Sequence, residues 1–351
     1  VVHHIAGDGS SLGPLAHDMT LAYSARLHGD TPRRRPLPVQ YADYAIWQRA
    51  VLGDDNDPQS VLRTQIDYWT TQLADAPALL ALPADRPRPP AQSYAGATVD
   101  LAVDAELHAR LQRLARDHNT TLFMVLHAAL AAVLARLAGT DDITIGTPYA
   151  GRGEPELDDL VGMFVNTLVL RTRLHPAMTG TELLEQVRDT DLAAFAHADV
   201  PFERLVHELN PTRSRAHHPL FQVMLAFQNL TATEFDLPEL TLSAMEADIG
   251  TSLFDLQVTV SDSYDTTGTP TGITGTMAYA RDLFDPATAT AIVARLHRLL
   301  QAMAADPAQP VHDADLLDPT ERDNVVRQWN STAHTVPAAT LAGVFTRAAQ
   351  R

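Results

Sequence analysis

The sequence predicts an α/β fold, and three observations carry that prediction. From Ala97 onward, short β-branched apolar runs alternate with longer segments of helical period. Of the 351 residues, 45% are hydrophobic and 20% charged, enough to bury a sizeable core spread over about two to three globular units. No apolar run reaches the roughly 18 residues a spanning helix needs, and no basic segment followed by an apolar stretch opens the chain, so the expectation is a folded cytoplasmic protein.

Composition narrows the chemistry. The absence of cysteine excludes disulfides, thiol nucleophiles and thiolate metal sites. All 26 Lys-or-Arg positions are Arg, which removes Schiff-base chemistry on a lysine. A formal charge of -17 opposes binding to a nucleic-acid backbone or an anionic membrane, and neither partner is expected.

In chain order, Val1 and Val2 read as the end of a strand entering the polar turn 3–11, followed by an amphipathic helix over 12–27. A strand at the very start needs partners upstream or later in the chain, so the expectation is that N-terminal sequence is missing. A loop over 31–38 with Arg33, Arg34 and Arg35 leads to aromatic-bearing helices over 41–52 and 60–73, and the proline-rich stretch 82–90 reads as a linker. Next come a strand over 98–103, helices over 105–117 and 122–137, and a strand over 142–147. A second series follows: strand 162–174, helices 181–196 and 201–209, strands 221–229, 240–247, 254–263 and 272–279, and a closing helix over 286–304. Beyond Pro319 lie a helix-forming segment with Trp329, a polar stretch over 330–337 and the start of another helix. No internal repeat or low-complexity tract is present.

The most specific feature is His3-His4-Ile5-Ala6-Gly7-Asp8-Gly9. Read as an apolar strand running into a small-residue turn, it carries two adjacent imidazoles that face opposite ways, so only one can meet a shared site. A neutral imidazole can accept or orient the proton of an attacking amine near neutral pH. Taken alone, the cluster reads equally as turn residues. A metal site would need further ligands, and adjacent strand histidines diverge, so no metal is expected.

This string resembles the HHxxxDG motif of condensation domains of nonribosomal peptide synthetases, which are chloramphenicol acetyltransferase-like acyltransferases. Further segments resemble the same family in order along the chain: 41–48 (YADYAIWQ), 145–152 (IGTPYAGR) with 160–171 (LVGMFVNTLVLR), 199–206, 218–229, 254–256 and 279–285. Residues from Leu316, with Trp329-Asn330-Ser331-Thr332, look like the tail joining a condensation domain to an adenylation domain. The second histidine pair, His217 and His218, lacks a trailing Asp-Gly and receives no catalytic role.

The resemblance implies a two-lobe, V-shaped fold with the C-terminal lobe complete and the N-terminal lobe only partly present. Residues 1–92 would be the end of the first lobe, 93–318 the second, and 319–351 a linker and the start of an adenylation domain. It implies His4 as the active-site histidine, His3 as its support, and Asp8 as a structural carboxylate paired with an arginine. Gly9 would allow close backbone approach, and Asn166, Arg152 and Ser10 would be substrate-side residues, Asn166 for positioning and Arg152 for support. The reaction implied joins a donor aminoacyl or peptidyl thioester to the α-amine of an acceptor, both on the phosphopantetheine of carrier domains, with no cofactor bound directly. Partners would be an upstream donor carrier, a downstream acceptor carrier and an adenylation domain. The residues following Gly9 resemble the subtype joining an L-donor to an L-acceptor. An epimerisation domain shares the motif, but the adenylation-type tail favours condensation. Heterocyclisation domains carry aspartates in place of the histidines. A non-catalytic recruitment module on the same fold would usually lose the histidine kept here as His4, and a free-standing acyltransferase using a CoA thioester would lack the tail.

Overall fold

Helix starts are written into this chain by side-chain caps. Asp104 accepts a hydrogen bond from the Leu107 N–H at 2.8 Å, Thr121 from Met124 at 3.2 Å and Ser60 from Arg63 at 3.0 Å, each satisfying a donor that the first helical turn leaves unpaired. The computed structural model describes residues 2–228, 240, 250–333 and 339–350. It divides into two units, Val1–Ala314 and Asp315–Arg351. The division expected at 92/93 lies inside the first unit, and the one expected at 318/319 lies a few residues beyond Ala314.

In the first unit the elements run α1 (Leu12–Leu27), α2 (Tyr41–Leu52), α3 (Val61–Gln72), β1 (Gly96–Val103), α4 (Ala105–Asp117), α5 (Leu122–Ala138), β2 (Asp142–Tyr149), β3 (Asn166–Arg173), α6 (Gly180–Ala196), α7 (Phe202–Leu209), β4 (Val223–Phe227), β5 (Leu256–Tyr264), β6 (Pro270–Ala280) and α8 (Pro286–Ala305). The six described strands form one sheet in the order β1-β6-β5-β4-β2-β3. The central strands β2, β4 and β5 are mutually parallel, and the flanking pairs are antiparallel. The C-terminal ends of the three parallel strands therefore open on one edge, where ligands of open α/β sheets bind.

The core sits around α5, whose residues 124–135 are all buried, because it packs against α4, α6, α8 and β2 at once. On α4 only the stripe Leu107, His108, Leu111, Leu114 and Ala115 is buried, as an amphipathic helix requires. Among the described residues no single helix is long and apolar enough to cross a membrane.

Two expectations about strands are corrected. Residues 2–4 form no strand: His4–Ala6 is a short 3₁₀ turn, because its amides close locally, Ile5 N–H onto the His3 Nδ1 at 3.1 Å and Ala6 N–H onto the His3 carbonyl at 2.9 Å. The strand expected from Gly162 begins only at Asn166, since the Gly162 and Phe164 N–H groups are spent on the side chains of Ser11 and Asp8 and are lost to a ladder. The strand expected over 240–247 falls, apart from Leu240, outside the described residues, as do Val1 and Asn229.

The second unit holds α9 (Pro319–Asp323), a π turn over Asn324–Gln328 and α10 (Leu341–Ala349), the last capped by Thr340 on the Gly343 N–H.

Candidate active site

The turn that carries the paired histidines is fixed by one carboxylate. Asp8 caps the 3₁₀ turn Gly9–Ser11, and its Oδ1 accepts from the Ser11 N–H at 3.0 Å and the Arg152 Nη2 at 3.1 Å. Its Oδ2 accepts from the Phe164 N–H at 2.9 Å. Burial alone would raise the Asp8 pKa; the Phe164 N–H, the Ser11 side chain and Arg152 together outweigh it and hold the carboxyl below its ordinary value. Asp8 is thus an anion dedicated to geometry.

Ser11 and Arg152 complete the clamp. The Ser11 hydroxyl accepts from the Gly162 N–H at 3.1 Å and from Arg152 Nη2 at 3.1 Å, and its own hydrogen reaches either Asp8 or the Gly162 carbonyl. Arg152 donates onward to the Leu160 carbonyl at 2.9 Å and lies 4.1 Å over the Phe164 ring, adding a cation–π contact. Its side chain is 5% exposed and that of Asp8 4%, so the pair is an interior one. Phe164 packs in turn on Tyr41 and Tyr44 of α2, and the Tyr41 hydroxyl donates to the Met163 carbonyl at 2.6 Å. Two glycines permit this approach. Gly151 holds φ +68° where a Cβ would sit 2.1 Å from the Phe164 carbonyl, and at Gly162 a Cβ would meet the Tyr41 ring at 2.2 Å. The aromatic segment 41–48 thereby forms one wall of the clamp.

With the turn locked, His4 is exposed and lines a cavity of about 840 Å³, together with Gly9 and Ser10. The cavity lies at the C-terminal ends of β2, β4 and β5, bordered by the junction of α4 and α5. Among the described residues the His4 ring makes no hydrogen bond, so its nitrogens are available to whatever enters, whereas the His3 Nδ1 is engaged by Ile5. An imidazole on a rigid turn beside such a cavity can take up or orient a proton.

The expected site residues therefore separate. His4, Asp8, Gly9 and Ser10 gather at the cavity. Arg152 does not line it, because its guanidinium is consumed by the clamp. Asn166 is not among the lining residues either. Its Nδ2 donates to the Ala198 and Val200 carbonyls at 2.8 and 2.7 Å and its Oδ1 accepts from the Phe202 N–H at 3.0 Å, so the amide splints the entry to α7. His218 lies among the rings of Phe202, Phe221 and Phe254, where burial, above all, lowers its pKa and keeps it neutral. Sequence reasoning missed the anchoring role of Ser11 and the backbone donors of Gly162 and Phe164. Only the Asp-x-x-Ser spacing, a local capping signal, hinted at the first.

Residues 1–326 match the family model described as the condensation domain. The chain is 52% identical over 326 residues to CymA of Salinispora arenicola, described as a probable non-canonical nonribosomal peptide synthetase, covering 93% of this chain and 4% of that protein. It is 46% identical over 349 residues to a dimodular nonribosomal peptide synthase of Bacillus subtilis, covering 99% of this chain and 15% of that one. The chain thus spans only a small part of the length of these curated relatives. Among solved structures, the X-domain in its complex with OxyB from teicoplanin biosynthesis superposes with a TM-score of 0.83 at 34% identity, over 90% of this chain and 69% of that one. The family model covers nearly the whole chain, the relatives agree with it, and the mixed sheet with its helices superposes on a solved member of the fold, so the chain belongs to the condensation-domain family of nonribosomal peptide synthetases.

Proposed function

We propose that this chain forms an amide bond between a donor aminoacyl or peptidyl thioester and the α-amine of an acceptor aminoacyl thioester, both held on carrier-domain phosphopantetheine, joining an L-donor to an L-acceptor. In this reading residues 93–318 are the C-terminal lobe, and 319–351 lead into an adenylation domain. The observation that carries it is His4, exposed at the cavity on a turn whose neighbouring carboxylate is wholly occupied by Ser11, Phe164 and Arg152. The acceptor nitrogen attacks the donor carbonyl carbon, the carbon–sulfur bond breaks, and the donor pantetheine leaves as the thiol. His4 orients the amine and holds the proton in transit from nitrogen to sulfur; no metal or nucleotide enters the balance.

With donor and acceptor carriers loaded, dipeptidyl-thioester formation followed by intact-protein mass spectrometry is expected to fall by about 10² to 10⁴-fold in His4→Ala, the usual range for removing a general acid–base group. A variant that folds and keeps wild-type rate would remove His4 from the chemistry. A second reading, a recruitment module without chemistry, draws on the similarity to an X-domain crystallised with OxyB. It predicts no product from wild type with any loaded pair, while binding to a partner protein persists.

A further inference from the structure

The inward face of β5 reads Leu256, Val258, Val260, Asp262, and the first three are at most 2% exposed. Period-two alternation makes the fourth position an apolar one, yet it carries a carboxylate, placed where the strand end opens into the cavity. That carboxylate is held. The Gln112 Nε2 donates to the Tyr264 hydroxyl at 2.6 Å, and the Tyr264 hydroxyl donates to the Asp262 Oδ2. The Tyr264 ring is braced edge-on by the buried His108, with centroids 5.3 Å apart. Burial first, then the hydrogen bond to Asp262, pushes the Tyr264 phenol up to about 12, so it remains a donor at neutral pH.

The relay has a fixed polarity, amide to phenol to carboxylate, and it leaves the Asp262 Oδ1 without a hydrogen bond among the described residues. Gln112 also lines the cavity, and its Oε1 is a second acceptor. Arg116, one helical turn further on, shares the cavity but forms no ion pair with Asp262 among the described residues. Two acceptors, one of them anionic, on a braced wall match a group rich in donors and positively charged.

We infer that Asp262, positioned by Tyr264 and Gln112, is a specificity determinant that selects an aminoacyl group with a cationic side chain, an ammonium or a guanidinium. The inference rests on the amide-forming reading above and names a substrate class for it. Asp262 touches the substrate side chain, not the reacting atoms, and Tyr264 acts through it.

The test compares ornithyl with its neutral isostere norleucyl. Each is loaded in one arm on the donor carrier and in another on the acceptor carrier, with alanine on the opposite side. Wild type is expected to favour ornithyl by about tenfold or more in kcat/KM in one arm, which identifies the side read, since a site built for a polar group discriminates against its apolar analogue at least that well. Asp262→Asn should bring the two substrates within about twofold by lowering the ornithyl rate alone, and Tyr264→Phe should narrow the preference less. Equal rates for both substrates in wild type, or an equal loss on both in Asp262→Asn, would overturn the inference. If wild type makes no amide with any pair, the amide-forming reading fails, and the pocket is judged by calorimetry with non-reactive ornithyl and norleucyl amides of pantetheine. Tighter ornithyl binding that Asp262→Asn abolishes upholds the pocket, and equal binding overturns it.

Discussion

The turn carrying His4 and the sheet behind it are held by opposite means. Residues 3–6 are exposed, with Ile5 at 76%, and the turn has no apolar core of its own; it is fixed by Asp8, Ser11, Arg152 and two backbone amides. The region around α5 and β2 is held by a continuous apolar interior in which Leu130, Leu134, Ile143 and Ile145 are at most 1% exposed. Apolar packing is non-directional and shared among many neighbours, whereas hydrogen bonds to a buried carboxylate set a position to within tenths of an ångström and depend on each donor. A polar clamp leaves the turn open to the cavity while fixing where its histidine stands.

The contrast breaks most sharply under truncation. Phe221→Ala in the core should lower the unfolding free energy by about 4 kcal/mol, the middle of the range for deleting a buried phenyl ring, and denaturant titration should show the loss in one global transition. Arg152→Ala should cost about 3 kcal/mol by stranding a buried carboxylate. Its signature differs: amide exchange at Gly162 and Phe164 should accelerate more than in the sheet, with the proposed amide-forming activity impaired beyond the loss of folded protein. Uniform acceleration throughout the first unit would mean that the clamp is part of the core. Ser11→Ala removes one member of the clamp and leaves Arg152 on Asp8, so a smaller loss of about 1 to 2 kcal/mol with the same local exchange pattern is expected.

The two regions also differ in how well the sequence foretells them. The bounds of helices α1, α2 and α4 agree with those read from the residues, and α4 shows why: a 3.6-residue apolar period opened by the Asp104 cap, whereas α1 lacks a side-chain cap and buries only Ala16. The motif places His4 and Asp8 together because they are four residues apart. The donors that fix Asp8 come from Arg152 and Phe164, more than 140 residues away, and no local period encodes that meeting. For the same reason Asn166 read as a cavity residue: its string matched a family signature, but only the fold shows its amide turned toward Ala198 and Val200. The opening turn read as a strand because two valines precede it. The His3 ring and backbone accept the amides that a strand would have exported. Asp262 was legible in principle, as a carboxylate in the inward apolar register of β5.

The finest separation of the two regions comes from acid. Among the titratable groups packed into the interior are His108 and His218, whose pKa values burial, as the leading cause, lowers below 6.5. A histidine that is harder to protonate when folded favours the unfolded chain as acid is added, so stability is intact above 6.5 and declines as pH falls below it, by at most about 1.4 kcal/mol per unit for each such group. Asp8 has the carboxylate sign. Its folded pKa lies below 3.8, so its contribution is present above that value and is lost only as pH falls through the folded pKa. Urea titrations from pH 8 to 2 should therefore show an early decline to which the interior histidines contribute and a late one that Asp8 shares with Asp54, Asp85, Glu182 and Asp265, whose pKa values hydrogen bonds also lower. His218→Phe should make the first shallower, leaving the share of His108, and should not change the second. In Asp8→Asn, a carboxamide that cannot ionise should remove the Asp8 share of the late step alone, so the difference from wild type should shrink below pH 3.8. A difference that stayed constant down to pH 2 would mean that Asp8 holds the turn by shape and hydrogen bonding without its charge, and the clamp would then be closer in kind to the core than its buried ion pair implies.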